Sequence, residues 1–322
     1  FYMINTVTGK ISPEELGQTL IHEHITCADW STRMNFGKKF FDADKVAALA
    51  KRMLNDAMEC GIKTMVDGTP VNLGRDIRLI KRVSELSGMQ IIASSGFYYQ
   101  IEPQLAGRDE EFIYDLLYDE CINGIDGTGI LPGIMKAGSG TAGITPYHEK
   151  MFRATARTAV DAHLPVFCHH EVTTECGLEI ADLFCGLGVK PESLILGHSG
   201  DSNDLDYLES LFKTGCYVGF DRMGYYPLSI GNALENYVKN IMHFVEKGYE
   251  KQILMSHDIA VYMAFWYTFE RDLEDYENGK GLTFTMVSKD VIPALKAAGM
   301  TDEIVNTIMV ENPKRLLSSC EQ

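Results

Sequence analysis

About eight times along this chain a short apolar run gives way to an amphipathic helical pattern. That alternation restricts the available folds more than any other feature of the sequence. Residues 3–12 read as a small hairpin leading into a strand over 19–25. A loop rich in aromatics (Trp30, Phe36, Phe40, Phe41) comes next, then a helix that Asp42 or Asp44 caps and Gly61 stops. Further strands are expected over 63–66, 90–94, 133–137, 165–168, 194–198, 216–220 and 252–256, with helices between them. Thr145 with Pro146 marks one helix start, since proline costs nothing where the N–H has no partner. A long aromatic loop and two closing helices follow the last strand.

Strand-plus-helix units of this length, with no Pro-, Gly- or Ser-rich linker between them, predict a (β/α)8 TIM barrel. It would span 1–322 as one domain with an N-terminal hairpin and C-terminal closing helices. A doubly wound open sheet is the alternative, but no Gly-x-Gly-x-x-Gly turn follows the first strand.

In a barrel, reactive groups gather at the C-terminal ends of strands, and this chain places His22, His24, Lys136, His169, His198 and Asp258 there. His22 and His24 are two apart on a strand and share a face, while Glu23 points away. Four imidazoles and a carboxylate suit one or two divalent ions, which lower the pKa of bound water to ~7 and polarise a carbonyl or phosphoryl oxygen. Lys136 does not fit that set, because a buried strand-end lysine ordinarily pairs with a carboxylate.

The formal charge of −16 repels phosphate backbones and anionic lipid surfaces, so no nucleic acid and no membrane partner is expected. No apolar run approaches the ~18 residues of a membrane span. The 8 cysteines form no Cys-x-x-Cys pair and several lie in apolar runs, the pattern of reduced thiols in a cytoplasmic protein.

The stretch Gly17-Gln18-Thr19-Leu20-Ile21-His22-Glu23-His24 resembles the first-strand motif of the phosphotriesterase family in the amidohydrolase superfamily. Matches continue in order through Gly96-Phe97-Tyr98, Gly124-Ile125-Asp126-Gly127-Thr128, Ile134-Met135-Lys136-Ala137-Gly138 and Pro165-Val166-Phe167-Cys168-His169. They extend to Gly197-His198-Ser199-Gly200-Asp201, Val218-Gly219-Phe220-Asp221-Arg222, Ser256-His257-Asp258 and Glu311-Asn312-Pro313. The resemblance implies two divalent metal ions, zinc being the expected metal, and a Lys136 carboxylated by CO2 whose carbamate bridges them. His22, His24 and Asp258 would hold the buried ion, and His169 and His198 the more exposed one. It further implies hydrolysis of a small-molecule lactone or ester, with Asp258 taking up a proton and Arg222 and Tyr98 contacting substrate as in the lactonase branch of the family. A homodimer is the expected assembly. Organophosphate triester hydrolysis and a catalytically silent binding barrel are the competing readings.

Other residues have plainer roles on this reading. Glu23 is a structural hydrogen-bond partner, alternation aims His170 and His257 away from the site, and His148, His163 and His243 fall on helices. Asp67 either supports the site or caps a helix, and the run Tyr262 to Tyr267 either walls a pocket or packs a loop.

Overall fold

The computed structural model describes residues 3–228 and 231–320. Nine parallel strands form one sheet: β3 (Gln18–Cys27), β4 (Ile62–Asp67), β5 (Gln90–Gly96), β6 (Ile134–Gly138), β7 (Val166–His169), β8 (Leu194–Gly197), β9 (Tyr217–Phe220), β10 (Ile253–Met255) and β11 (Ala260–Met263). Antiparallel β1 (Ile4–Thr6) and β2 (Gly9–Ile11) make the hairpin ahead of them. Helices intervene between successive strands from β3 to β10, and the whole is a TIM-barrel-like (β/α)8 fold.

The eighth strand differs from its expected form. It does not end at Asp258 but is broken there and resumes as β11, in place of the start of the expected aromatic loop. Its first half pairs with β9 (Met255 opposite Phe220) and its second half with β3 (Ala260 opposite His24). Across the break the Asp258 N–H donates to His22 O at 3.0 Å, and His24 N–H to Ile259 O at 2.9 Å, so β3 and the eighth strand close the barrel. Asp258 has φ 58°, a left-handed conformation that interrupts the ladder. A second correction concerns the first loop, where Asp29 accepts the Thr32 N–H and caps a short helix, Trp30–Phe36. Of the two candidate caps for the next helix, Ala43–Glu59, Asp42 does the capping.

Strand alternation sorts side chains into two apolar layers. Outward residues such as Met135, Cys168, Leu196 and Val218 pack under the helices. Inward residues form a ring with one member per barrel strand: Ile21, Val66, Ile92, Ile134, Phe167, Ile195, Tyr217 and Leu254. Ile4, Leu16, Leu316 and Leu317 close the floor beneath the ring. Each such side chain contributes about 1.5–3 kcal/mol by leaving water. The closing helices are tied in by Asn312, whose Nδ2 donates to Glu250 O and Ile253 O below β10.

Candidate active site

The polar layer lies directly above that ring, and Lys136, His169, Asp221 and Asp258 follow its parity. A register shift between Leu20 and Glu23 brings His22 and His24 inward beside Ile21, and His198 lies one residue past the inward position on β8. Two residues beyond Ile134 is Lys136, and two beyond Phe167 is His169. Four residues beyond Tyr217 and Leu254 are Asp221 and Asp258. On β8 the inward position above Ile195 is Gly197, where a Cβ would run into the Phe167 ring. The ring occupies that space and supports the site, 4.2 Å from the His22 ring and 3.9 Å from Lys136 Nζ. Gly68 is required for a similar reason, since a Cβ there would press on the His22 imidazole.

His22 turns Nδ1 to Asp221 at 2.7 Å and leaves Nε2 facing inward, 2.7 Å from Lys136 Nζ and 3.2 Å from Asp258 Oδ1. His24 turns Nδ1 to Thr69 Oγ1 at 2.8 Å and presents Nε2 to Asp258 Oδ1 at 3.1 Å. Thr69 is held in turn by Asp67, which accepts the N–H groups of Thr69 and Ile25. Asp67 therefore supports the site and caps no helix. His169 Nδ1 and His198 Nε2 lie 2.6 Å apart, and His198 Nε2 is 3.8 Å from Asp258 Oδ2. Asp221 also accepts the His198 N–H at 2.6 Å, so one fully buried carboxylate orients two of the histidines. Like Asp258, His198 is in the left-handed region, with φ 64°. Such conformations in residues other than glycine concentrate at functional sites.

Burial sets the electrostatics. It pushes His22 down to about 3 and His169 well below the ordinary imidazole value, so both are neutral and offer lone pairs. Lys136 falls to about 8 because its burial disfavours the ammonium. Burial works against ionisation of Asp258 too, but His22, His198 and His24 around it hold its carboxyl below the usual range. For His24, burial is outweighed by Cys27 and Asp258, which raise it to about 10.

These groups fit divalent ions. His22, His24 and Asp258 bring one ligand atom each to within 4.8 Å of one another. The other inward imidazole nitrogens meet an amine or another imidazole, partners that a bound ion would displace. In the second cluster, His22, His198 and Asp221, the carboxylate bonds the rear nitrogen of His22, which is how a carboxylate orients a histidine ligand. It lies 3.2 Å from His198 Nδ1 without hydrogen-bonding it.

A cavity of about 260 Å³ opens over this layer, and His22, His24, Lys136, His169 and Asp258 face it. Tyr98 lies in its wall, with its ring 4.9 Å from that of His169. Arg222 is also in the wall, where Asp201 accepts its Nε–H at 2.6 Å. The aromatic run divides by residue. Tyr262 packs between Phe41 and Phe269, whereas Met263, Phe265 and Trp266 line the cavity.

The histidines expected elsewhere are elsewhere. His170 bonds Tyr207, His257 bonds Glu23, and His148 joins Thr145 to Tyr99 O. His163, expected on a helix, instead lies in the turn after Pro146–Asp161, where its φ of 55° ends the helical path, and His243 lies on Leu234–Glu246 against Phe244. Sequence reasoning missed Asp221, Thr69, Asp201, Tyr225 and Cys27 as parts of the site. For Asp221 the signal was present, a carboxylate at a strand end with the inward parity of Tyr217.

A model of the phosphotriesterase family matches residues 2–317 of the chain. A phosphotriesterase homology protein from Mycobacterium tuberculosis is 30% identical over 97% of this chain and 97% of its own length. An aryldialkylphosphatase from Saccharolobus solfataricus is 30% identical over 97% of this chain and 99% of its own. An N-acetyltaurine hydrolase from Rattus norvegicus is 27% identical over 98% and 97%. Among the described residues no helix is long and apolar enough to cross a membrane.

Proposed function

The chain belongs to the phosphotriesterase family, and from that premise we propose that it is a binuclear metal-dependent hydrolase whose preferred substrates are lactones. The observation that carries this reading is the convergence of four histidines, Lys136 and Asp258 beneath one cavity whose wall includes Arg222 and Tyr98. Two ions, zinc being the expected metal, held by His22, His24 and Asp258 and by His169 and His198, would supply Lewis acidity and a bound water of pKa ~7.

The chain's own residues account for the rest. With Lys136 lowered to about 8, an appreciable share of its amine is neutral near neutral pH, and the neutral amine is the form that adds to CO2. Nitrogen bonds to carbon and loses a proton, giving a carbamate that replaces an awkward buried ammonium with an anionic ligand. Asp258, held ionised among the histidines, takes up the proton released as water attacks the carbonyl and delivers it to the leaving oxygen. Arg222 remains a cation at any working pH, and its pairing with Asp201 fixes its direction in the wall. There it supports the planar ester while charge develops on the carbonyl oxygen. Tyr98, with its hydroxyl held protonated by burial, supplies a donor to the ring.

A phosphotriester is the second reading, favoured by the aryldialkylphosphatase relative; tetrahedral phosphorus resembles the lactone's transition state. The deciding experiment measures kcat/KM of zinc-loaded protein on acyl-homoserine, aliphatic and phosphorylated sugar lactones, beside an aryl dialkyl phosphate triester and N-acetyltaurine. A lactone is expected to lead, and a triester or amide turned over faster would overturn the lactonase assignment. Arg222→Ala is expected to lower the lactone value about a hundredfold while sparing metal content and triester hydrolysis. Equal loss of both activities with metals retained would make Arg222 a loop anchor.

A further inference from the structure

Glu23 sits between two candidate ligands in sequence yet points out of the cavity, and it is fully buried. Its carboxylate takes four donors, all from the segment around Asp258. Oε1 accepts Ser256 Oγ–H at 2.7 Å, the His257 N–H at 2.8 Å and His257 Nδ1–H at 2.6 Å. Oε2 accepts the Ile259 N–H at 3.2 Å. Ser256 Oγ in turn accepts the His22 N–H at 3.1 Å, and His257 Nε2 accepts the Val287 N–H at 2.9 Å, linking the bracket to the closing helices. The ladder is interrupted at 256–259, where the backbone keeps Ser256 N–H on Phe220 O, Asp258 N–H on His22 O and His24 N–H on Ile259 O. The Glu23 side chain accepts the His257 and Ile259 N–H groups on either side of the residue with φ 58°. A break in a barrel strand that exposes buried N–H groups is unfavourable unless something accepts them.

We propose that Glu23, with His257 behind it, is a positioning residue for Asp258: it holds the broken eighth strand so that the Asp258 carboxylate reaches the Nε2 atoms of His22 and His24. This rests on the metallohydrolase reading given above. Glu23→Gln keeps the shape but offers one acceptor oxygen instead of two, and its amide sets a donor against either Ile259 N–H or the His257 donors.

The test uses the full chain, with Zn2+ and Co2+ as probes. In Glu23→Gln, Zn2+ affinity measured against a chromogenic chelator is expected to weaken by roughly 10–100-fold, the usual cost of losing a group that orients a metal ligand. The visible absorption of the Co2+-loaded protein is expected to change, a signature that loss of general stability does not produce. In the metal-free protein, amide exchange at His257 and Ile259 should accelerate while β7 and β8 stay protected. Wild-type affinity, Co2+ spectrum and exchange in Glu23→Gln would overturn the proposal. If that variant does not fold, His257→Gln carries the test through the same three measurements: smaller shifts in the same direction support the proposal, and no shift overturns it. A wild-type protein that takes up no divalent ion would overturn the metallohydrolase reading instead, and the exchange comparison in metal-free protein would still decide whether Glu23 holds the segment.

Discussion

The two halves of the polar layer are braced differently. On the β3 side His22 rests on Asp221, His24 on Thr69, and the Asp258 segment on Glu23. On the β7–β8 side His169 and His198 face each other across 2.6 Å, with Asp221 reaching the His198 backbone N–H and lying 3.2 Å from its Nδ1. A histidine whose rear nitrogen is engaged keeps its forward nitrogen aimed whether or not an ion is present, although His24, raised to about 10 beside Cys27 and Asp258, would have to release a proton there to bind one. A pair whose nitrogens are bonded to each other must separate before both can bind. The difference teaches that the β3 side is already braced for the ion proposed there, whereas the other side would be completed only by binding one.

The largest effect should come from the residue both halves share. Lys136→Ala is expected to lower activity roughly a thousandfold, the upper end for removing one group at the reacting centre, and to reduce bound metal from two ions toward one or none. Small carboxylic acids should restore part of both. Lys136→Arg, unable to form a carbamate, should match Ala; a near-normal rate there would show the lysine to be merely a cation, and the two halves to be independent of it.

Next in size are substitutions behind the ligands. Asp221→Asn touches His22 and His198, so about 10–100-fold weaker affinity is expected at both sites, measured by chelator competition. Thr69→Val touches His24 alone and should weaken one site while leaving the other as in wild type. Equal weakening of both sites by Thr69→Val would dissolve the distinction between the halves.

A smaller difference should appear on stepwise dialysis of wild type against chelator. Elemental analysis is expected to plateau near one ion per chain before reaching zero, because the braced half retains its metal. A single transition from two ions to none would mean the halves load as a unit.

The smallest effect concerns acid. Buried His170, beside His169, has its pKa depressed to about 4, chiefly by burial, and His22 to about 3, against about 6.5 in an unfolded chain. Depressed values mean that the stabilisation is full above pH ~6.5 and is lost as pH falls through the folded values. Metal-free protein should therefore lose stability below pH ~6.5. Within the native state, amide exchange near β7 should rise around pH 4, before that near β3. The reverse order would contradict the contrast in bracing.

Much of this molecule was legible in one dimension because strand alternation is strictly local. The parity that buries Ile134 and Phe167 also puts Lys136 and His169 on the inner face, and glycine and carboxylate punctuation marks the ends of the elements. The barrel follows from that periodicity, as do Lys136, His169 and Asp258 at its mouth, while His22, His24 and His198 depart from the parity of Ile21 and Ile195 and were legible only in the motif string. Contacts between residues far apart in sequence have no such local signature. That Asp221 reaches back 199 positions to His22, that Asp201 holds Arg222, and that the eighth strand breaks at Asp258 and is held by Glu23 became visible only when the strands closed. Hydrophobic period is a property of neighbours along the chain, and it determined which residues face inward wherever the strands run without a register shift. The pairing of buried donors with acceptors is a property of neighbours in space, so the tertiary structure alone decided how those residues are held.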